Sequence, residues 1–236
     1  DKREEFRPKY GDSPLYEHHT TSLVFNDPPR HTRVRKLIAG ALTPRAIADL
    51  TPDLEALVDG LLDALDGRAE VDLIEDFAAK IPVEVIGNLL AVPRGERGDL
   101  RGWSLAILGA LEPAPSPEVL AAGNAAVADM SAYLDGLIAE RRRAPGDPAR
   151  DVLTRLLAGE DDERLDAREL VHNCIFLLNA GHETTTNLIG NALALLCAWP
   201  GERRRLIDTP ALIGTAVEEA LRFESSNQLG NRRATR

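Results

Sequence analysis

Ala180, Gly181, His182, Glu183, Thr184 and Thr185 place a glycine, a carboxylate and two hydroxyls inside what is otherwise the best helical pattern of the chain. In a helix, Gly181 costs about 1 kcal/mol relative to alanine, and neighbouring threonines crowd the turn at Cβ. Such a placement has a chemical use. Glycine lets another group approach the backbone, and a threonine hydroxyl can bond back to the carbonyl one turn earlier and bend the helix. Glu183 then sets a titratable acid beside that alcohol, and the two could pass protons to a ligand lying against the helix. The competing reading makes Gly181 a helix-packing contact and Glu183 a solvated charge.

Two further pairs have chemistry-bearing spacing. His31 and Arg35 lie four apart and share a helical face, joining a switchable cation to a permanent one in a way that suits carboxylates or phosphates. They read equally as a solvated basic face. Glu219 and Arg222, three apart, can bond each other or a third group, although surface pairs of this kind are common. Arg232 and Arg233 add cationic character after the last helix.

Positioning these groups is a task for helices. After "NDPP", Asp27 is the expected N-cap of a helix that carries Val34, Leu37, Ile38 and Leu42 on one face. Further helices are expected at about 52–66, 73–91, 94–110, 117–143, 149–158, 167–198, 200–207 and 210–223. Pro82 should begin or kink the second half of the 73–91 segment. The stretch from Pro8 to Pro29 reads as a loop with one short helix. A helix over 167–198 would be ~48 Å long at 1.5 Å per residue, long enough to cross a domain, so its middle is expected to be buried.

The 236 residues, 44% hydrophobic and 28% charged, fit one mainly α domain. A net charge of −10 argues against nucleic acid as a partner. No apolar run approaches the ~18 residues of a membrane span, and no signal peptide opens the chain. A soluble, cytoplasmic protein with no membrane partner is expected. Cys174 and Cys197 read as reduced core residues. The chain opens without methionine and stops where a strand or loop should lead onward, so it reads as a piece of something longer.

Taken in order, "FNDPPRHTRVR", a long helix with "AGHETT", and "EEALR" followed by "NQLGNRRAT" resemble the bacterial soluble cytochrome P450 family, the haem-thiolate monooxygenases. The resemblance covers essentially the whole chain, from before the family's C helix to just past its K helix. It implies a truncated P450-like helical fold with the β-rich parts largely missing. Residues 1–236 would then be one incomplete domain, from about the B–C loop through the K helix.

The resemblance also assigns roles. His31 and Arg35 match the C-helix pair that binds a haem propionate, and Arg232, or Arg233 in a competing alignment, matches the propionate-binding arginine. Ala180, Gly181, Glu183 and Thr184 match the oxygen-activation motif, with Thr184 as the alcohol and Glu183 as the acid. Glu219 and Arg222 match the structural ExxR pair. Phe176 and Asn179 match positions that face substrate, residues 10–22 the segment that closes over the pocket, and the 110–118 loop the lid connection.

The implied cofactor is haem b. The implied reaction inserts one oxygen atom of O2 into a small organic substrate, with electrons from a ferredoxin-type donor and its reductase. Arg33, Lys36 and Arg45 offer a basic cluster to an acidic donor. The family's axial cysteine falls beyond the K helix, so no metal ligand is expected within the sequence. The alternative is an inactive helical scaffold acting as a binding or assembly module, haem-free or weakly ligated by a histidine such as His182.

Overall fold

A computed structural model describes residues 2–148, 151–158 and 164–228, and these build helices only, with no strand among the described residues. In chain order they are α1 (Lys2–Tyr10), α2 (Pro14–Thr21), α3 (Arg30–Ala41), α4 (Pro44–Ala48), α5 (Thr51–Leu65), α6 (Lys80–Leu89), α7 (Gly98–Gly109) and α8 (Pro117–Arg143). There follow α9 (Val152–Leu157), α10 (Ala167–Ala198), α11 (Pro200–Asp208) and α12 (Ile213–Phe223). The mainly α expectation holds.

The two longest helices start where the sequence says they should. The Ser116 hydroxyl accepts the Val119 amide at 3.3 Å ahead of Pro117, and three arginines end α8 where the helix dipole favours cations. Asp166 and Glu169 form a capping box at the head of α10, the Glu169 amide donating to Asp166 Oδ1 at 2.7 Å and the Asp166 amide to Glu169 Oε2 at 3.2 Å. From that start α10 runs as the central rod, touching α2, α6, α7, α8, α11 and α12. Its first half is sheathed: Leu170, Cys174, Ile175 and Leu178 are buried with Val127, Met130 and Leu134 of α8 and Ile107 of α7.

Three expectations change. The 8–29 stretch is not mainly loop, because α1 ends in it and α2 is a second helix there, with Ser13 capping at 3.2 Å and Pro14 in the first turn. The 73–91 segment is two pieces, a π-helical stretch Leu73–Ala78 capped by Asp72 and then α6. Pro82 explains the change of register, since it has no N–H for the carbonyl one turn back and cannot continue an α ladder begun at residue 73. Finally Asp27 does not cap α3. The helix starts after Pro29, and Asp27 contributes only its carbonyl, which accepts the His31 amide at 3.0 Å. Val34 and Ile38 are buried as expected.

Candidate functional site

The middle of α10 presents two different faces. Asn179, His182 and Thr186 point into the protein and are buried, whereas Ala180, Thr184 and Thr185 are exposed and Gly181 and Glu183 half-buried. The expected burial of the midsection is therefore true of one stripe only. Beyond Leu178, helices pack against one side of α10 and leave the Ala180–Thr184 stripe open to solvent.

The threonine does bond back. Thr184 Oγ1 donates to the Ala180 carbonyl oxygen at 3.0 Å, and Thr186 Oγ1 to that of His182 at 3.0 Å. α10 is continuous from Ala167 to Ala198, because each hydroxyl adds a bond to its carbonyl without replacing the backbone ladder. Gly181 has a packing reason: a Cβ there would lie 3.3 Å from Ile86 Cδ1 of α6. The glycine thus serves close approach, and the partner it admits is a side chain of the same protein.

On α3 the cations divide into two groups. Arg30 Nε donates to Glu169 Oε1 at 3.0 Å, Arg33 Nη2 to the same oxygen at 2.5 Å, and Arg33 Nη1 to the Arg164 carbonyl at 3.0 Å. Glu169 is itself buried, so these two arginines clamp α3 onto the first turn of α10. His31 is half-buried and Arg35 exposed, and neither side chain has a hydrogen-bond or ionic partner among the described residues. The two do not touch the Ala180–Thr184 stripe, since ~22 Å of helix separates Glu169 from Thr184. Arg33, expected to face a redox partner, is paired with the buried Glu169 while its own side chain stays partly exposed.

Glu219 and Arg222 form a two-bond pair, Nε to Oε2 at 2.7 Å and Nη2 to Oε1 at 2.6 Å, with both side chains exposed on α12. Glu219 also lines an apolar groove of about 600 Å³ that includes Leu196, Trp199, Val217 and Phe223. Arg232 and Arg233 lie outside the described residues. Phe176 is half-buried against the core, and Asn179 is buried with its Oδ1 unpartnered.

The relatives of the chain fit this arrangement. A protein-family model for Cytochrome P450 matches residues 115–208, which include α8, α9, α10 and α11. Cytochrome P450 107B1 of Saccharopolyspora erythraea is 44% identical over 214 residues, 90% of this chain and 50% of that protein. The vitamin D(3) 25-hydroxylase of Pseudonocardia autotrophica is 41% identical over 87% of this chain and 49% of its own length. The chain belongs to the cytochrome P450 family.

Its fold agrees with P450 crystal structures. The myxobacterial P450 CYP267B1 bound to myristic acid superposes with a TM-score of 0.84 at 37% identity, over 98% of this chain and 59% of that one. P450BioI, solved with an acyl carrier protein bearing hexadec-9Z-enoic acid, superposes at 0.85 with 36% identity, over 92% of this chain and 55% of that one. The chain spans about half the length of the curated P450 relatives it matches.

Neither cysteine of this P450 chain lies in the open Ala180–Thr184 stripe. Cys174 is fully buried and its thiol is pushed up to about 12 by loss of solvent, with the Asp151 charge acting in the same direction. Cys197 is exposed in the last turn of α10. Among the described residues no group of three or more His, Cys, Asp or Glu side chains could hold a metal ion. No helix of the described residues is long and apolar enough to cross a membrane.

Sequence reasoning missed two features near the site. The Arg30–Glu169–Arg33 clamp was hidden because its partners are more than 130 positions apart. The other is the polar stripe on the back of α10, where His182 meets the electrostatic field of Arg101 and Glu75. Burial, then Arg101, lower the His182 pKa below its usual 6.5, so the ring is neutral at pH 7.

Proposed function

We propose that this chain supplies the distal half of a haem-dependent monooxygenase site, organised as one helical domain. The supporting observation is the open Ala180–Thr184 stripe with its Thr184 hydroxyl held on the Ala180 carbonyl. A haem is a flat dianion with an apolar body, and the residues present fit it. The small, exposed Ala180 leaves the stripe low, while His31 and Arg35 keep unspent donors that a propionate could accept from. When bound through a thiolate, haem activates O2 and supplies the oxidising power to insert one oxygen atom into a C–H or heteroatom bond.

The chain's own part is to place protons. Thr184 Oγ1 has its proton committed to the Ala180 carbonyl, which leaves its lone pairs facing the open stripe as an acceptor. Glu183, the adjacent half-buried carboxylate, can exchange protons with solvent at one side and with that hydroxyl's surroundings at the other. Glu219 and Arg222 are assigned to pairing with each other on α12, and Arg232 or Arg233 to a second propionate. The proximal thiolate is assigned to neither Cys174 nor Cys197, for the reasons of burial and position given above. The substrate is a small organic molecule approaching past Phe176 and Asn179, and the electron donor a ferredoxin-type protein with its reductase.

The test is spectroscopic. Haem titrated into the purified protein should give a saturable Soret band that weakens when His31 and Arg35 are both changed to glutamine. Reduction under CO should then show the thiolate-type, red-shifted band only when a cysteine ligand is present. A Soret band insensitive to the two substitutions, or no haem uptake at all, would refute the assignment.

A further inference from the structure

The seam between α7 and α10 contains buried polar atoms without hydrogen-bond partners, of which the oxygenase reading uses only Asn179. Ser104 of α7 is 2% exposed, and Asn179 and His182 of α10 are 5% and 3% exposed. Ser104 Oγ, Asn179 Oδ1, both ring nitrogens of His182 and Arg101 Nε are buried without a hydrogen-bond partner. Arg101 and Ser104 are one turn apart on α7, as Asn179 and His182 are on α10, and the two helices pack against each other. Arg101 is fixed at its outer end by a two-bond pair with Glu75, Nη1 to Oε2 at 2.5 Å and Nη2 to Oε1 at 2.6 Å. Its Nε is thereby turned inward.

Orphaned polar atoms are rare singly, and five in one seam amount to a demand for a ligand. The demand has a definite chemistry. Neutral His182 offers one donor and one acceptor, Asn179 Oδ1 needs a donor, Arg101 Nε needs an acceptor, and Ser104 Oγ takes either. A carboxylate could only accept and an ammonium only donate. A hydroxyl group does both.

We propose that the α7–α10 seam is a hydroxyl-binding site, in which Ser104, Asn179, His182 and Arg101 hold either ordered water or the hydroxyl group of an alcohol-bearing substrate. The alcohol case rests on the oxygenase reading above and narrows it: the substrate would enter the site already oxygenated, and Ser104, Asn179 and His182 would select it. A site built to hydrogen-bond an OH rejects the analogue lacking it by far more than a methylene-sized difference can. The water case does not depend on that reading.

Trp103, immediately before Ser104 on α7, provides the probe, with Trp199→Phe removing the other tryptophan signal. Cyclooctanol and cyclooctane, alike in shape and different by one hydroxyl, are titrated against Trp103 emission, and water-to-imidazole cross-relaxation is recorded at the His182 ring. Saturation by cyclooctanol at least ~10-fold tighter than by cyclooctane, lost in the Ser104→Ala, Asn179→Leu double variant, establishes the alcohol source. Equal weak responses to both probes, with cross-relaxation at His182, establish ordered water. In that case His182→Leu lowers Tm by ~4 °C and His182→Gln, which keeps a donor and an acceptor, restores most of it. No preference between the probes and no cross-relaxation overturns the site. Haem uptake is scored separately in the same preparations, so that a failure of the oxygenase reading is not mistaken for a failure here.

Discussion

Thr184 and Ala180 are joined across one turn of α10 by a 3.0 Å hydrogen bond on a face that no other helix covers. The hydroxyl proton is committed to the Ala180 carbonyl, so what Thr184 shows to the open side is acceptor capacity. Thr184→Ala removes that acceptor and little else. Because the side chain is exposed, Tm should stay within about 2 °C of the parent. Oxygenated product from the haem-loaded, cysteine-ligated protein should fall ~100-fold, in the range expected for losing a proton-directing group. A variant with full turnover would remove Thr184 from the mechanism.

Arg35 and His31 should matter for haem and not for folding. Both lack partners within the described structure, so replacing them with glutamine sacrifices no internal bond. Each loss of a charge-assisted hydrogen bond to a propionate should weaken haem binding by ~10-fold or more, read by titration of the Soret absorbance. Circular dichroism melts of the two variants should overlay the parent.

Glu169 is the opposite case. Its carboxylate is almost closed to solvent and receives Arg30, Arg33 and the Asp166 amide, so it joins α3 to α10 while completing a helix cap. Glu169→Ala should cost on the order of 3 kcal/mol in urea unfolding, the arginines recovering part of the loss by hydrating their exposed sides. Glu169→Gln should cost less because it preserves acceptor geometry. As a control, Glu219→Gln should leave Tm unchanged, since that pair is exposed on the surface of α12.

The contrast between these arginines and their neighbours shows what could be read before folding. Arg30, His31, Arg33 and Arg35 sit within six positions of one another, and helical periodicity places them near one another. Periodicity does not say that Arg30 and Arg33 would meet Glu169, because that contact is set by where α3 docks. The bounds of α8 and α10 were legible to the residue, since Ser116-Pro117 and the Asp166–Glu169 box are local signals with local causes. Ser13-Pro14 carried the same kind of signal for α2 and was overlooked within a stretch rich in Gly, Pro and His. The half-exposure of the α10 midsection was not legible, because length alone says that a helix crosses a domain and not which stripe its neighbours cover. The orphaned Ser104 and His182 were invisible for a related reason: a polar residue in an apolar stripe is ordinary until its partners are counted.

Acid should loosen the α2 side of the molecule. His18, His19 and His172 are buried together, His18 lying 5.6 Å from His172 and 5.3 Å from His19 between ring centroids, and His19 stacks on Tyr10 at 4.8 Å. Desolvation lowers all three below 6.5, with His19 brought to about 4 although its bond to the Leu15 carbonyl opposes the shift. The charged groups facing the cluster are Lys9, which adds to the lowering of His19, and Arg168, Glu17 and Asp135 around His172, where the two carboxylates oppose the lowering and Arg168 reinforces it. A base whose folded pKa is depressed binds more protons when unfolded. Its stabilising contribution is thus complete above pH 6.5 and is lost as the pH falls toward 4. Between pH 7 and pH 5 the His19 share alone is on the order of 2 kcal/mol, since each pKa unit is worth 1.36 kcal/mol. Urea unfolding at the two pH values should show at least that difference, and His19→Phe, which suits the aromatic surroundings of Phe6, Tyr10 and Phe25 and cannot take a proton, should remove most of the His19 share. A stability profile flat from pH 7 to pH 5 in the parent would mean that the three rings are already hydrated, and that α2 is not packed against α10 in solution.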